Sequence, residues 1–100
     1  MSSNTPEGKV KTAIKNMIKK DFPDAVVVTP MAGRFSQAGV SDFIVCYKGR
    51  FIALEIKAIG GKLSQLQSAF LDKVIVAGGL AAVCFNVEEA RKVLQKCTKS

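Results

Sequence analysis

Residues 41–58 read Ser41-Asp42-Phe43-Ile44-Val45-Cys46-Tyr47-Lys48-Gly49-Arg50-Phe51-Ile52-Ala53-Leu54-Glu55-Ile56-Lys57-Ala58. Two apolar runs rich in β-formers, 42–47 and 51–58, flank Lys48-Gly49-Arg50, and this pattern predicts a tight β-hairpin. Each run is apolar apart from one or two charged residues. Charge inside a buried strand is costly unless it is paired or bound to a metal. A two-residue turn at 48–49 puts Tyr47 opposite Arg50. Counting back pair by pair then puts Asp42 opposite Glu55, with Cβ atoms about 5 Å apart. A one-residue change in the turn would shift that register. Two opposed carboxylates repel, and a divalent cation between them removes the penalty; hard oxygen donors suit magnesium or manganese. Lys57 lies two residues beyond Glu55 and shares its face. Asp42, Glu55 and Lys57 are therefore predicted to converge. A self-neutralising charge cluster would account for the same residues, and a D…ExK spacing alone recurs by chance.

The flanking sequence alternates between helical and strand patterns. Pro6 suits a first helical turn, with Asn4 or Thr5 as its cap. Val10, Ala13, Ile14, Met17 and Ile18 recur at helical spacing, with Lys9, Lys11, Lys15, Lys19 and Lys20 on other faces. Asp21-Phe22-Pro23-Asp24 ends that helix. The valine-rich stretch 25–29 predicts a short buried strand, and Pro30, Gly33, Ser36 and Gly39 mark 30–41 as a loop carrying Arg34 and Gln37. After a second loop, Ile59-Gly60-Gly61-Lys62, residues 64–77 predict a helix with Leu66, Ala69, Phe70, Val74 and Ala77 inward, stopped by Gly78-Gly79. Residues 80–85 predict an apolar strand. Asn86, with Glu89 three residues on, fits the capping box of a last helix whose inner face is Ala90, Val93, Leu94 and Cys97. The order α-β-β-β-α-β-α is an α/β fold, a mixed sheet flanked by helices. At 100 residues the chain is one domain, 6–100, behind a flexible terminus at 1–5.

Composition narrows the chemistry. With 48% apolar and 23% charged residues the chain is a folded protein, not a disordered one. Fifteen basic residues against eight acidic give a net charge of +7, which favours a polyanionic partner. There is no histidine, so Ser-His-Asp triads and histidine-based phosphodiester chemistry are excluded. Acid–base work falls to carboxylates, lysine, tyrosine, water or a metal. The three cysteines, Cys46, Cys84 and Cys97, are scattered in apolar surroundings with no CxxC pair. They predict neither a zinc site nor disulfides, but a reducing, cytoplasmic compartment, the host's if the chain is virus-encoded. The polar start carries no signal-peptide core, and the apolar runs are too short to span a bilayer.

Gly39-Val40-Ser41-Asp42-Phe43, Glu55-Ile56-Lys57 and the run from Gly61 through Lys62-Leu63-Ser64-Gln65-Leu66 to Gln67 together resemble the stand-alone VRR-NUC (virus-type replication-repair nuclease) domain of the PD-(D/E)XK nuclease superfamily. The resemblance runs from about Glu7 to Glu88. It departs at Ser41, where the family often has proline. It implies a restriction-endonuclease-like core and a metal-dependent DNA endonuclease using magnesium (Mg2+), with manganese able to substitute. Asp42 and Glu55 would be metal ligands, with the backbone carbonyl of Ile56 a further one. Lys57 would orient or activate the attacking water. Gln67, in an LSxxQ motif, would position water or phosphate, though with Ser64 it also fits a capping box. Glu7 would complete the metal site, though a carboxylate in a first helical turn is favoured by the helix dipole anyway. Arg34, Lys62, Lys11 and Lys15 are candidate phosphate contacts.

Members resembling this chain act on structured DNA such as flaps, forks and four-way (Holliday) junctions, the substrates of DNA repair. So small a protomer grips a branched duplex poorly alone, and two-fold symmetry would double its basic surface, which predicts a homodimer. The competing expectations are a nicking subunit of a larger complex, a non-catalytic basic DNA-binding module on the same fold, and a structural protein with a buried charge cluster.

Overall fold

The structure, a computed structural model, describes residues 5–30 and 39–98. Residues 1–4, 31–38 and 99–100 lie outside the described residues, and with them Arg34 and most of the loop expected over 30–41. The chain runs α1 (Pro6–Asp21), β1 (Val26–Val28), β2 (Phe43–Tyr47), β3 (Arg50–Ile56), α2 (Gln65–Val76), β4 (Leu80–Cys84) and α3 (Val87–Gln95), ending in a 3-10 turn at Lys96–Thr98. The strands lie in the order β1-β2-β3-β4. Pairing is antiparallel except between β3 and β4, which are parallel. The sheet is therefore mixed, as the sequence led us to expect.

The hairpin fixes the register. Lys48 and Gly49 both adopt positive φ, 52° and 77°, the type I′ turn whose twist matches its strands. Tyr47 pairs with Arg50, and the ladder runs back to Phe43 opposite Leu54. Alternation along β3 then divides the molecule. Ile52, Leu54 and Ile56 are fully buried on the face shared with Ile14 and Ile18 of α1 and Leu94 of α3. Each such side chain contributes about 1.5–3 kcal/mol. Ala53, on the other face, packs with Leu71 and Val74 of α2. Because α2 is the crossover between parallel strands, its first turn lies at the same edge as the carboxyl end of β3. Glu55 and Lys57 emerge there.

Several local expectations are corrected. Of the two caps expected for α1, Thr5 serves: its hydroxyl accepts from the Gly8 N–H at 2.9 Å. Strand β1 is not buried. It is a three-residue edge strand, and Val26 and Val28 are 61% and 53% exposed because α2 covers β3 and β4 instead. Ala13 is exposed, and so are Leu66, Ala69 and Ala77. The inner stripe of α2 is Gln67, Phe70, Leu71 and Val74, turned toward the sheet by a polar anchor that hydrophobicity alone does not weigh. At α3, Asn86 caps as expected, but the Glu89 carboxylate accepts from the Phe85 N–H rather than closing the box on Asn86. Cys46 is exposed, while Cys84 is buried, its thiol pushed up to about 12 chiefly by that burial. No helix among the described residues is long and apolar enough to cross a membrane.

Candidate active site

Asp42 stands one residue before β2, where the Phe43–Leu54 register carries it toward Glu55. Its Oδ2 accepts the Ile56 N–H at 2.8 Å. A side chain thus takes the N–H that the next rung of the ladder would have used, and the ladder stops there. An N–H of β3 that points toward β2 belongs to a residue whose carbonyl points the same way. The Ile56 carbonyl is therefore directed to the Asp42 side, whereas the Lys57 N–H turns to β4 and donates to Cys84 at 3.1 Å.

Glu55 is 2% exposed, an unusual burial for a carboxylate. Its Oε2 accepts from Gln67 Nε2 at 3.0 Å and lies 3.8 Å from Lys57 Nζ. Its Oε1 is buried with no hydrogen-bond partner among the described residues. Burial, then the nearby charge of Asp42, push the Glu55 carboxyl up to about 7, and Lys57 only partly offsets them. The three residues singled out in the hairpin are brought together on the α2 face.

Gln67 does both things its position allowed. Its Oε1 accepts from the Ser64 N–H at 2.9 Å, its own N–H donates to Ser64 Oγ at 3.1 Å, and its Nε2 is left to hold Glu55. The capping box therefore orients the amide that orients Glu55. The backbone at Gly39 lies against this turn. Its φ is +79°, and a Cβ there would meet the Leu66 carbonyl oxygen at 2.3 Å, so only glycine fits.

Glu7 and Lys11 come from α1. Lys11 Nζ lies 3.3 Å from Glu7 Oε2 and 3.1 Å from Asp42 Oδ1. Among the described residues, no three cysteine, aspartate or glutamate side chains cluster closely enough to hold a metal; Glu7 meets the site through Lys11. Lys15 and Lys62 are exposed. Sequence reasoning missed Ser41, which is 1% exposed beside Asp42, its hydroxyl without a partner among the described residues. Nothing in its residue type or spacing signals that burial.

The donor set fits a hard divalent cation. Magnesium is commonly held by one or two carboxylates and keeps several waters. Asp42, Glu55 and the Ile56 carbonyl supply that many oxygens, and the orphaned Oε1 of Glu55 is a buried acceptor lacking a cation or donor.

No protein-family model matches the chain, and no curated protein is detectably similar to it. A solved structure described as a VRR_NUC domain superposes on 91% of this chain and 96% of its own length, with a TM-score of 0.73 at 18% sequence identity. The chain therefore has the VRR-NUC fold over nearly all its length, and the resemblance carried by Gly39–Phe43, Glu55–Lys57 and Gly61–Gln67 is borne out as a fold.

Proposed function

We propose that this chain is a magnesium-dependent nuclease that hydrolyses phosphodiester bonds in DNA. The observation that carries this is the buried Glu55, held on one oxygen by Gln67, bare on the other, and flanked by Asp42 and Lys57. The name of its structural neighbour, a VRR_NUC domain, supports the same chemistry. Asp42, Glu55 and the Ile56 carbonyl would hold the cation. A cation held there would polarise a phosphoryl oxygen and lower the pKa of a bound water. Lys57, with a side chain 15% exposed, holds a positive charge at the mouth of the site. It orients the attacking water and stabilises negative charge as the phosphorane-like transition state forms, an effect worth about a hundredfold or more in rate. Gln67 prevents Glu55 Oε2 from turning, which keeps Oε1 facing the site. Lys15, Lys62 and Arg34 would contact phosphates as part of the +7 surplus.

The substrate we favour is branched DNA, a flap or four-way junction, gripped by a homodimer. The test is a panel of four-way, flapped, nicked and linear duplexes incubated with magnesium, manganese or chelator. Cleavage is expected with either metal, none with chelator, and none by Glu55→Ala or Lys57→Ala. Salt-sensitive binding without cutting, indifferent to chelator, would instead identify a non-catalytic DNA-binding module. Light scattering is expected to give a dimer.

A further inference from the structure

Of the four oxygens on Asp42 and Glu55, the fold itself engages two. Asp42 Oδ2 is held by the Ile56 N–H and Glu55 Oε2 by Gln67 Nε2. That leaves Asp42 Oδ1 and Glu55 Oε1 as the oxygens these residues would offer a cation. Glu55 Oε1 is bare, but Asp42 Oδ1 carries the ammonium of Lys11. Lys11 differs from its neighbours on α1. Lys9, Lys15, Lys19 and Lys20 are exposed, whereas the Lys11 side chain is 31% exposed and lies between Glu7 and Asp42. Lysine is a compact point charge with three donors on a flexible stem, able to swing between acceptors.

We infer that Lys11 is a resident counter-ion of this site: its ammonium covers Asp42 Oδ1 in the metal-free protein, yields that oxygen to the incoming divalent cation, and retreats onto Glu7. This rests on the metal-site reading above and adds to it. Lys11 then opposes metal binding rather than gripping DNA. Glu7 acts as a positioning residue that receives the displaced ammonium, not as a third ligand. Without Lys11 the metal-free protein holds two carboxylates with one cation fewer, so it is less stable but more avid for metal.

Manganese binding to the intact protein, followed by calorimetry at neutral pH without DNA, tests this. Lys11→Met and Lys11→Gln are expected to bind manganese about tenfold more tightly than the parent. Lys9→Met, which removes an exposed charge from the same helix, controls for long-range electrostatics and is expected to stay within about twofold. Glu7→Gln is expected to weaken binding in the parent and to change nothing in the Lys11→Met background, a double-mutant cycle that separates a receiver from a ligand. Melting in chelator checks folding: both Lys11 variants should melt lower than the parent and gain more from manganese. Parent-like affinity in both Lys11 variants would overturn the proposal, as would equal tightening in Lys9→Met. Weakening by Glu7→Gln that persists without Lys11 would make Glu7 a ligand and overturn its assigned role. If the parent binds no manganese at all, the metal-site reading fails and the proposal falls with it.

Discussion

Glu55→Gln should make the metal-free protein more stable at slightly alkaline pH while destroying its proposed activity. The Glu55 carboxyl is raised from its ordinary 4.5 to about 7 by burial and by Asp42. A group whose folded pKa is raised binds its proton more tightly folded than unfolded, so stability falls as pH rises from 4.5 and levels off above about 7. At about 1.4 kcal/mol per pH unit of that difference, the ionised side chain costs the folded state about 3 kcal/mol. For a domain of this size that corresponds to roughly 12–24 °C in Tm. Glutamine keeps the shape and can still accept from Gln67, but carries no charge to bury. The assay is thermal melting of parent and Glu55→Gln in chelator from pH 5 to 8.5. No histidine titrates in that window. The parent should lose stability across it, the variant should stay nearly flat, and magnesium should restore much of the parent's loss at pH 8. A parent curve that is flat, or a variant that follows the parent's slope, would refute the account of Glu55 as a buried, unfavourably ionised carboxylate.

Gln67→Glu separates the two duties of that side chain. Glutamate still closes the capping box on Ser64, so in melts near pH 5 the fold should be within about 1 kcal/mol of the parent. Yet it replaces the donor to Glu55 with a second carboxylate, and DNA cleavage should fall at least tenfold. Gly39→Ala meets the Leu66 carbonyl and an unfavourable backbone conformation together, so urea unfolding should show a loss of about 2–4 kcal/mol, with cleavage impaired in what still folds. Leu54→Ala, in the core between the sheet and α1 and α3, should cost about 2–5 kcal/mol in the same assay, without a specific effect on metal binding.

The elements were legible because each is marked locally: Thr5, Ser64 and Asn86 at helix starts, Lys48-Gly49 in a two-residue turn, Gly78-Gly79 after α2. The carboxylate pair was legible for a geometric reason. A hairpin this short converts sequence separation into spatial register, so Asp42 and Glu55 could be matched by counting. Other features follow from contacts between distant segments and leave no such trace. Leu66 looks like core by type, yet α2 is rotated by the Gln67–Glu55 bond and leaves it 60% exposed. Val26 and Val28 look buried, yet nothing among the described residues covers that end of the α2 face. Lys11 looks like one more surface cation on a basic helix, and only the packing of α1 against the sheet brings it to Asp42. Ser41 is buried by position rather than by type.

The Lys48–Gly49 turn has a consequence for how the chain can vary in length. Exposed hairpin tips ordinarily absorb insertions with little harm. This one lies five ladder pairs from Asp42, about 17 Å along the strand. It nevertheless sets the alignment of the two carboxylates. One extra residue there would slide β2 by one position and turn Asp42 to the face occupied by α1 and α3, or force a bulge to take up the slack. The tip is thus a ruler for the carboxylate end, and a chain of this design can be lengthened at its termini or between other elements far more freely than at its most exposed turn.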